Sequence, residues 1–131
     1  MKDWAMIPLR FGIGIMFVMH GLQKAFGLMG GPGIDGFSGM LSKIGFAPAT
    51  PLAYLVAYVE LIGGIFLIFG LFTKIASLLL IIIMAVAIVK VHLANGFFAS
   101  AGGFEYAFVI LVALITLFLS GPGKFCITKK S

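Results

Sequence analysis

Residues 74–93 have the sequence KIASLLLIIIMAVAIVKVHL, and this stretch decides the class of fold. From position 75 to position 89 it contains no charged side chain. The hydrocarbon core of a bilayer is about 30 Å thick and is crossed by about 20 apolar residues of α-helix. The stretch therefore predicts a transmembrane helix.

Three further segments have the same character, at residues 4–24, 51–72 and 103–120. Residues that interrupt helices separate them: Gly30-Gly31-Pro32-Gly33 follows the first segment, and Gly121-Pro122-Gly123 follows the last. The sequence thus predicts an all-α integral membrane protein, in which residues 1–131 form a single domain. Its expected architecture is a four-transmembrane-helix bundle with a short amphipathic helix in the first loop.

The composition excludes an ordinary soluble domain. Of the 131 residues, 62% are hydrophobic and 10% are charged, whereas soluble domains carry about 25% charged residues. The net charge of +5 does not indicate a nucleic-acid partner, because the basic residues lie mostly at helix ends. The single cysteine, Cys126, cannot form an intramolecular disulfide, and we expect an idle thiol.

The amphipathic helix is predicted from the apolar spacing of residues 34–44. Apolar side chains recur there at helical intervals, at Ile34, Phe37, Met40, Leu41 and Ile44. We expect this helix to lie in the membrane interface or to dip into the bundle. An irregular loop is the alternative, because the segment is rich in glycine.

The lysines predict the orientation. One set falls on one side of the predicted bundle: Lys2, Lys74, Lys124, Lys129 and Lys130. Lys24 and Lys43 fall on the other side, with Lys90 near that end of its helix. Because cytoplasmic loops are enriched in Lys and Arg, we expect both termini in the cytoplasm and a multi-pass protein of the cell (inner) membrane.

Ionisable residues within membrane spans are costly and usually face the interior of the bundle. In the first span, five residues fall within about 80° of one another on a helix: Arg10, Gly14, Phe17, Gly21 and Lys24. This small, polar face is expected to meet the rest of the bundle.

Glu60 is the deepest acidic residue of the predicted spans. It lies about 13 Å below the outer surface, and Arg10 lies about 9 Å above the inner one. In a core of about 30 Å these depths differ by about 8 Å, which a long Arg side chain largely spans. We therefore predict an Arg10–Glu60 ion pair, direct or bridged by a polar group. The pair either fixes helix register or belongs to a ligand or proton site.

Polar residues from three helices converge near the outer end: His20, Lys24, Lys90, His92, Asn95, Glu105 and Tyr106. Lys90 and His92 point about 160° apart on a helix, so we expect His92 to face inward and Lys90 to reach the surface. The group could relay protons, hold the polar head of a ligand, or simply satisfy polar helix ends. A metal site is not predicted, because the chain lacks a His-x-x-x-His spacing.

At these positions the chain resembles the DoxX family. The resemblance rests on motifs in a fixed order: Arg10 with His20-Gly21-x-x-Lys24, Glu60-Leu61-Ile62-Gly63-Gly64, Gly70 to Lys74, His92 with Asn95-Gly96, and Gly102 to Tyr106. It implies a four-helix membrane bundle and a link to membrane oxidoreductases. Archaeal members of the family are membrane subunits of a thiosulfate:quinone oxidoreductase.

Three functions remain open. The first is a redox-associated membrane subunit, whose pocket of Arg10, His20, Glu60, His92 and Glu105 holds a quinone or a small sulfur or thiol substrate. The second is a non-catalytic adaptor or assembly factor, and the third is a small transporter, which would have to oligomerise. The expected partners are the lipid bilayer, a protein subunit of a redox complex and further copies of the chain, without a covalently bound cofactor.

Overall fold

The computed structural model describes residues 2–127, with the backbone alone for residues 2 and 3. Five α-helices follow one another: α1 Lys2–Phe26, α2 Gly33–Lys43, α3 Ala49–Phe69, α4 Thr73–Ala87 and α5 Glu105–Ser120. Beyond α4 the chain continues through a π turn at Ile88–His92 and a 3-10 turn at Leu93–Asn95. The described part contains no strand. Lys129 and Lys130, which entered the predicted orientation, lie outside the described residues.

Three helical segments are long and apolar enough to cross a membrane: Trp4–Phe26, Ala49–Phe69 and Thr73–Asn95. They overlap the predicted spans at 4–24, 51–72 and 74–93. The second ends earlier than expected, because Gly70 adopts a left-handed conformation (φ 67°) that stops α3. The predicted span at 103–120 corresponds to α5, which has 16 residues and is about 24 Å long. A fourth crossing therefore stays a prediction.

Helices α1 and α3 pack backbone against backbone. A Cβ atom added to Gly14 would lie 2.8 Å from the carbonyl oxygen of Gly64, and one added to Gly21 would lie 2.6 Å from the amide nitrogen of Leu61. Small residues allow helices to approach this closely. The contact confirms that the glycine face of α1 meets the bundle, and it fixes the antiparallel register of α1 on α3.

The main core lies where α1, α3, α4 and α5 converge. Its buried residues are Phe17, Leu67, Ala76, Leu80, Ile110, Leu114 and Leu117. This cluster holds together the half of the bundle that is nearer to the turn between α3 and α4.

Helix α2 packs across the other half of the bundle. Its Phe37 and Leu41 are buried against Ala53 of α3, while Asp35 and Lys43 are exposed. The hydroxyls of Ser38 and Thr50 lie 2.9 Å apart and tie α2 to the start of α3. The first loop is thus helical over Gly33–Lys43, and its location in a membrane interface stays a prediction.

Candidate functional site

A cavity of about 530 Å³ lies beneath α2. Side chains from all five helices and from the π turn line it, and most of them are apolar. The polar ones are His20, Lys24, Glu60, Lys90, His92 and Tyr106. An apolar pocket with a few polar groups is the usual form of a small-molecule site.

An ion pair between Lys24 and Glu60 forms the polar end of this cavity. The Lys24 Nζ atom lies 2.5 Å from Glu60 Oε2. The Glu60 side chain is 3% exposed and that of Lys24 is 24% exposed. The contact follows from helix register, because Gly21 touches Leu61 and the helices are antiparallel, so Lys24 lies only about 3 Å from Glu60 in height. The long Lys24 side chain spans this difference. A carboxylate this deeply buried requires a charged partner, and Lys24 supplies it.

Phe37 connects the ion pair to α2. The Lys24 ammonium lies 4.9 Å from the centre of the Phe37 ring, within cation–π range. Phe37 is itself buried, so α2 covers the polar end of the cavity and shields it from solvent. Nothing in the sequence marks this contact, because an aromatic residue on an apolar helix face usually indicates core packing alone.

His20 lies one helical turn before Lys24 on α1. It is half-buried and lines the cavity beside the ion pair. The site thus combines a cation, a carboxylate and an imidazole. Together they can donate hydrogen bonds, accept them and exchange protons with a bound molecule.

Lys90 and His92 both border the cavity. Lys90 is exposed, as predicted, but the expectation that the two side chains could not border one cavity is wrong. Both residues belong to a π turn, and the long Lys90 side chain reaches the margin of the cavity from its exposed position. His92 Nδ1 also lies 3.3 Å from the carbonyl oxygen of Gly102, in the loop before α5.

Asn95 and Glu105 shape that loop and do not line the cavity. The Asn95 side-chain amide donates a hydrogen bond to the Gly102 carbonyl at 3.2 Å. The Glu105 carboxylate accepts one from the backbone N–H of Ala99 at 3.0 Å. Tyr106, the next residue, is 53% exposed and borders the cavity.

Arg10 is fully buried at the opposite end of α1, and the predicted Arg10–Glu60 pair is wrong. Its guanidinium donates hydrogen bonds to the carbonyl oxygens of Pro122 at 2.6 Å and Lys124 at 2.9 Å, and to that of Phe125. The packing of Gly14 on Gly64 places Arg10 beside Gly70, ten residues or about 15 Å along α3 from Glu60. The predicted pair was based on the depths of Arg10 and Glu60 below the ends of their spans, and those depths do not reveal how α1 and α3 are aligned.

Two buried hydroxyls also escaped the sequence analysis. Thr73 and Ser77 of α4 are fully buried, and their hydroxyl oxygens have no hydrogen-bond partner among the described residues. Among the side chains described, those of residues 4–127, no three His, Cys, Asp or Glu side chains lie close enough to share a metal ion.

The fold and this site define a small all-helical membrane protein with a mostly apolar cavity. The family model for DoxX matches residues 5–93. The chain belongs to the DoxX family.

Curated relatives support the assignment. The chain is 35% identical over 113 residues to "Putative oxidoreductase CatD" of Bacillus subtilis, a match that covers 86% of this chain and 76% of the relative. It is 30% identical over 137 residues to "Uncharacterized membrane protein Rv3486" of Mycobacterium tuberculosis, covering 96% of this chain and 80% of the relative. An uncharacterized protein of Haemophilus influenzae is 30% identical over 129 residues, with 93% and 87% covered. No solved structure matches the chain significantly.

Proposed function

We propose that the chain is the small membrane subunit of an oxidoreductase, and that its cavity holds a quinone or a small sulfur or thiol substrate. The observation that carries this proposal is the Lys24–Glu60 ion pair with His20 at the polar end of an otherwise apolar cavity. The name of the Bacillus subtilis relative supports the link to an oxidoreductase.

The membrane arrangement belongs to the same proposal. Residues 1–131 form one domain with four spans, in which α5 makes the fourth crossing and α2 lies in the outer interface. Both termini then face the cytoplasm of a cell (inner) membrane. The length of α5 is compatible with this arrangement, because a bilayer adapts to a short span by local thinning.

Each polar group has a role in this proposal. Lys24 donates a hydrogen bond to a carbonyl or anionic oxygen of the ligand, and Glu60 accepts one from a hydroxyl or thiol. His20 exchanges protons with the ligand, since reduction of a quinone consumes protons as well as electrons. The electrons come from a partner subunit. Arg10, Asn95 and Glu105 bind no ligand and stabilise the structure.

The test is native mass spectrometry of the protein gently extracted from its own membrane, with identification of any bound small molecule. We expect a quinone or a sulfur compound that is retained by the wild type and lost in Glu60→Gln. Glu105→Gln is the matched control, because it neutralises a carboxylate outside the cavity and should retain the ligand. Retention by Glu60→Gln equal to that of the wild type would contradict the proposal.

A non-catalytic adaptor is the second candidate, and one observation favours it. The Lys24–Glu60 pair joins α1 to α3 and reaches α2 through Phe37, as a purely structural brace would. If the pair serves only as a brace, the protein will co-purify with a protein partner but without a small molecule. Removal of both charges together will then leave its cellular function intact.

A further inference from the structure

A second, smaller cavity of about 210 Å³ lies between α3 and α4. On the α3 side it is lined by Leu55, Val59, Ile62 and Phe66, and on the α4 side by Ile75 and Leu79. Apart from the Tyr58 hydroxyl, all the side chains along it are apolar. We call this space the α3–α4 groove.

The α3–α4 groove adjoins the main cavity. Leu55 lines both spaces, and it is 59% exposed. Glu60, at the polar end of the main cavity, is five residues or about 7 Å further along α3. A flexible chain that leaves a group bound at Glu60 can therefore pass Leu55 and enter the groove.

The groove is open towards the outside of the bundle. Ile62, Ile75 and Leu79 are 47%, 57% and 45% exposed, and in a membrane-spanning bundle such side chains face lipid. From Leu55 to Phe66 the groove follows twelve residues of α3, whose eleven rises span about 16 Å. That length suits an extended hydrocarbon chain and exceeds what a compact head group would need.

We propose that the α3–α4 groove binds the hydrocarbon tail of the molecule whose polar head lies at Lys24 and Glu60. This rests on the proposed function, and it narrows the substrate to a class: a lipophilic molecule with a small hydrogen-bonding head and a long apolar tail, such as a quinone of the membrane pool. A small sulfur or thiol compound has no tail to occupy the groove, which lipid chains would then fill.

The groove should determine where the tail lies more than how tightly the molecule binds to the protein. Lipid chains are as apolar as the tail, so moving the tail from bilayer to groove gains van der Waals packing but no hydrophobic free energy. The informative measurement is therefore where the tail lies.

The experiment uses a benzoquinone with a photoreactive diazirine at the end of an alkyl tail long enough to reach from the head site past Leu55 to Phe66, added to the full chain in lipid nanodiscs. Mass spectrometry then maps the cross-links after illumination. We expect labelling to be concentrated on Ile62, Phe66, Ile75 and Leu79, several-fold above other exposed positions. An excess of untagged tailed quinone should abolish it.

A bulky side chain should fill the groove and displace the tail. Leu79→Trp is expected to remove most of the groove labelling. Leu78→Trp is the matched control, because Leu78 is equally exposed but lies outside the groove, and its labelling should equal that of the wild type. If Leu79→Trp fails to fold, Ile62→Trp fills the same groove from α3, with Ile65→Trp as its control.

The outcomes separate this inference from the proposed function. Labelling spread evenly over lipid-facing positions, together with Glu60-dependent binding of a tail-less benzoquinone, overturns the groove and leaves the head site standing. The groove is also overturned, and the head site again stands, if Leu79→Trp releases a co-purified lipid but leaves the labelling pattern of the tail unchanged. If neither probe binds in a Glu60-dependent manner, both proposals fail.

Discussion

Arg10 and Lys24 are fourteen residues apart on α1, and each cation binds a different part of the protein. Lys24 pairs with a buried carboxylate, whereas Arg10 binds three backbone carbonyls of the segment after α5. Sequence analysis identified both as intramembrane cations, but it paired Glu60 with Arg10 instead of Lys24. Backbone carbonyls carry no sequence signature, so the partners of Arg10 could not be found that way.

The Arg10→Met variant should lower the free energy of unfolding by about 2–4 kcal/mol, because three carbonyls lose a charged donor. Thermal unfolding in detergent measures this, and limited proteolysis should show earlier cleavage within residues 121–127. Arg10→Lys should recover only part of the loss, since an ammonium cannot reproduce the planar fork of a guanidinium. Equal stability of Arg10→Met and wild type would show that the hydrogen bonds of Arg10 to these carbonyls contribute little to stability.

The Lys24→Met variant leaves the Glu60 carboxylate buried without a partner. We expect it to destabilise the protein by about 3–5 kcal/mol. The double variant Lys24→Met/Glu60→Leu removes both charges and should regain most of that loss. A double-mutant cycle of unfolding free energies tests this coupling, and additive effects would refute it.

At the scale of helices, the glycine contacts between α1 and α3 position the polar end of the cavity. The polar face of α1 was predicted from spacing alone, and the packing of Gly14 and Gly21 confirms it. The relative register of the two helices was not predictable, because it depends on which glycine meets which backbone atom. That register brings Lys24 to Glu60.

Gly21→Ala should disturb this register, because its methyl group would lie 2.6 Å from the backbone nitrogen of Leu61. Overpacking of this kind costs about 1–3 kcal/mol. Gly12→Ala is the matched control on the same helix: its methyl group meets nothing within 4 Å, and it should stabilise α1 by about 0.5–1 kcal/mol. Thermal unfolding measures the stability of both variants. If Gly21→Ala is as stable as Gly12→Ala, the close contact at Gly21 does not constrain the packing of α1 on α3.

For the whole molecule, the composition alone was enough to assign a helical membrane protein, because the apolar runs are far longer than a soluble domain tolerates. The fourth crossing stays a prediction, since α5, with 16 residues, is shorter than the three membrane-length segments of the described chain. The sequence predicted a pocket, and His20, Glu60 and His92 do line the cavity. The contribution of α2 to its lining could not be predicted, because it depends on α2 folding back over α1 and α3. Only the structure shows that Asn95 and Glu105 lie outside it.

The four-span topology predicts that the loop before α5 and the segment after it lie on opposite sides of the membrane. In a Cys126→Ser background, Ser100→Cys should react with a membrane-impermeant maleimide in intact cells. Lys124→Cys should react only after permeabilisation. Reaction of both in intact cells, or of neither, would mean that α5 does not cross the membrane.

The central claim is that the Lys24–Glu60 end of the cavity binds the polar head of a ligand, and an equilibrium titration of the purified protein with a short-tailed benzoquinone tests it most directly. The wild type should bind saturably, and Glu105→Gln should match it. The folded Lys24→Met/Glu60→Leu protein should bind about tenfold or more weakly, because it loses charge-assisted hydrogen bonds to the ligand. If that double variant binds as tightly as the wild type, the ion pair is structural alone and the claim is wrong.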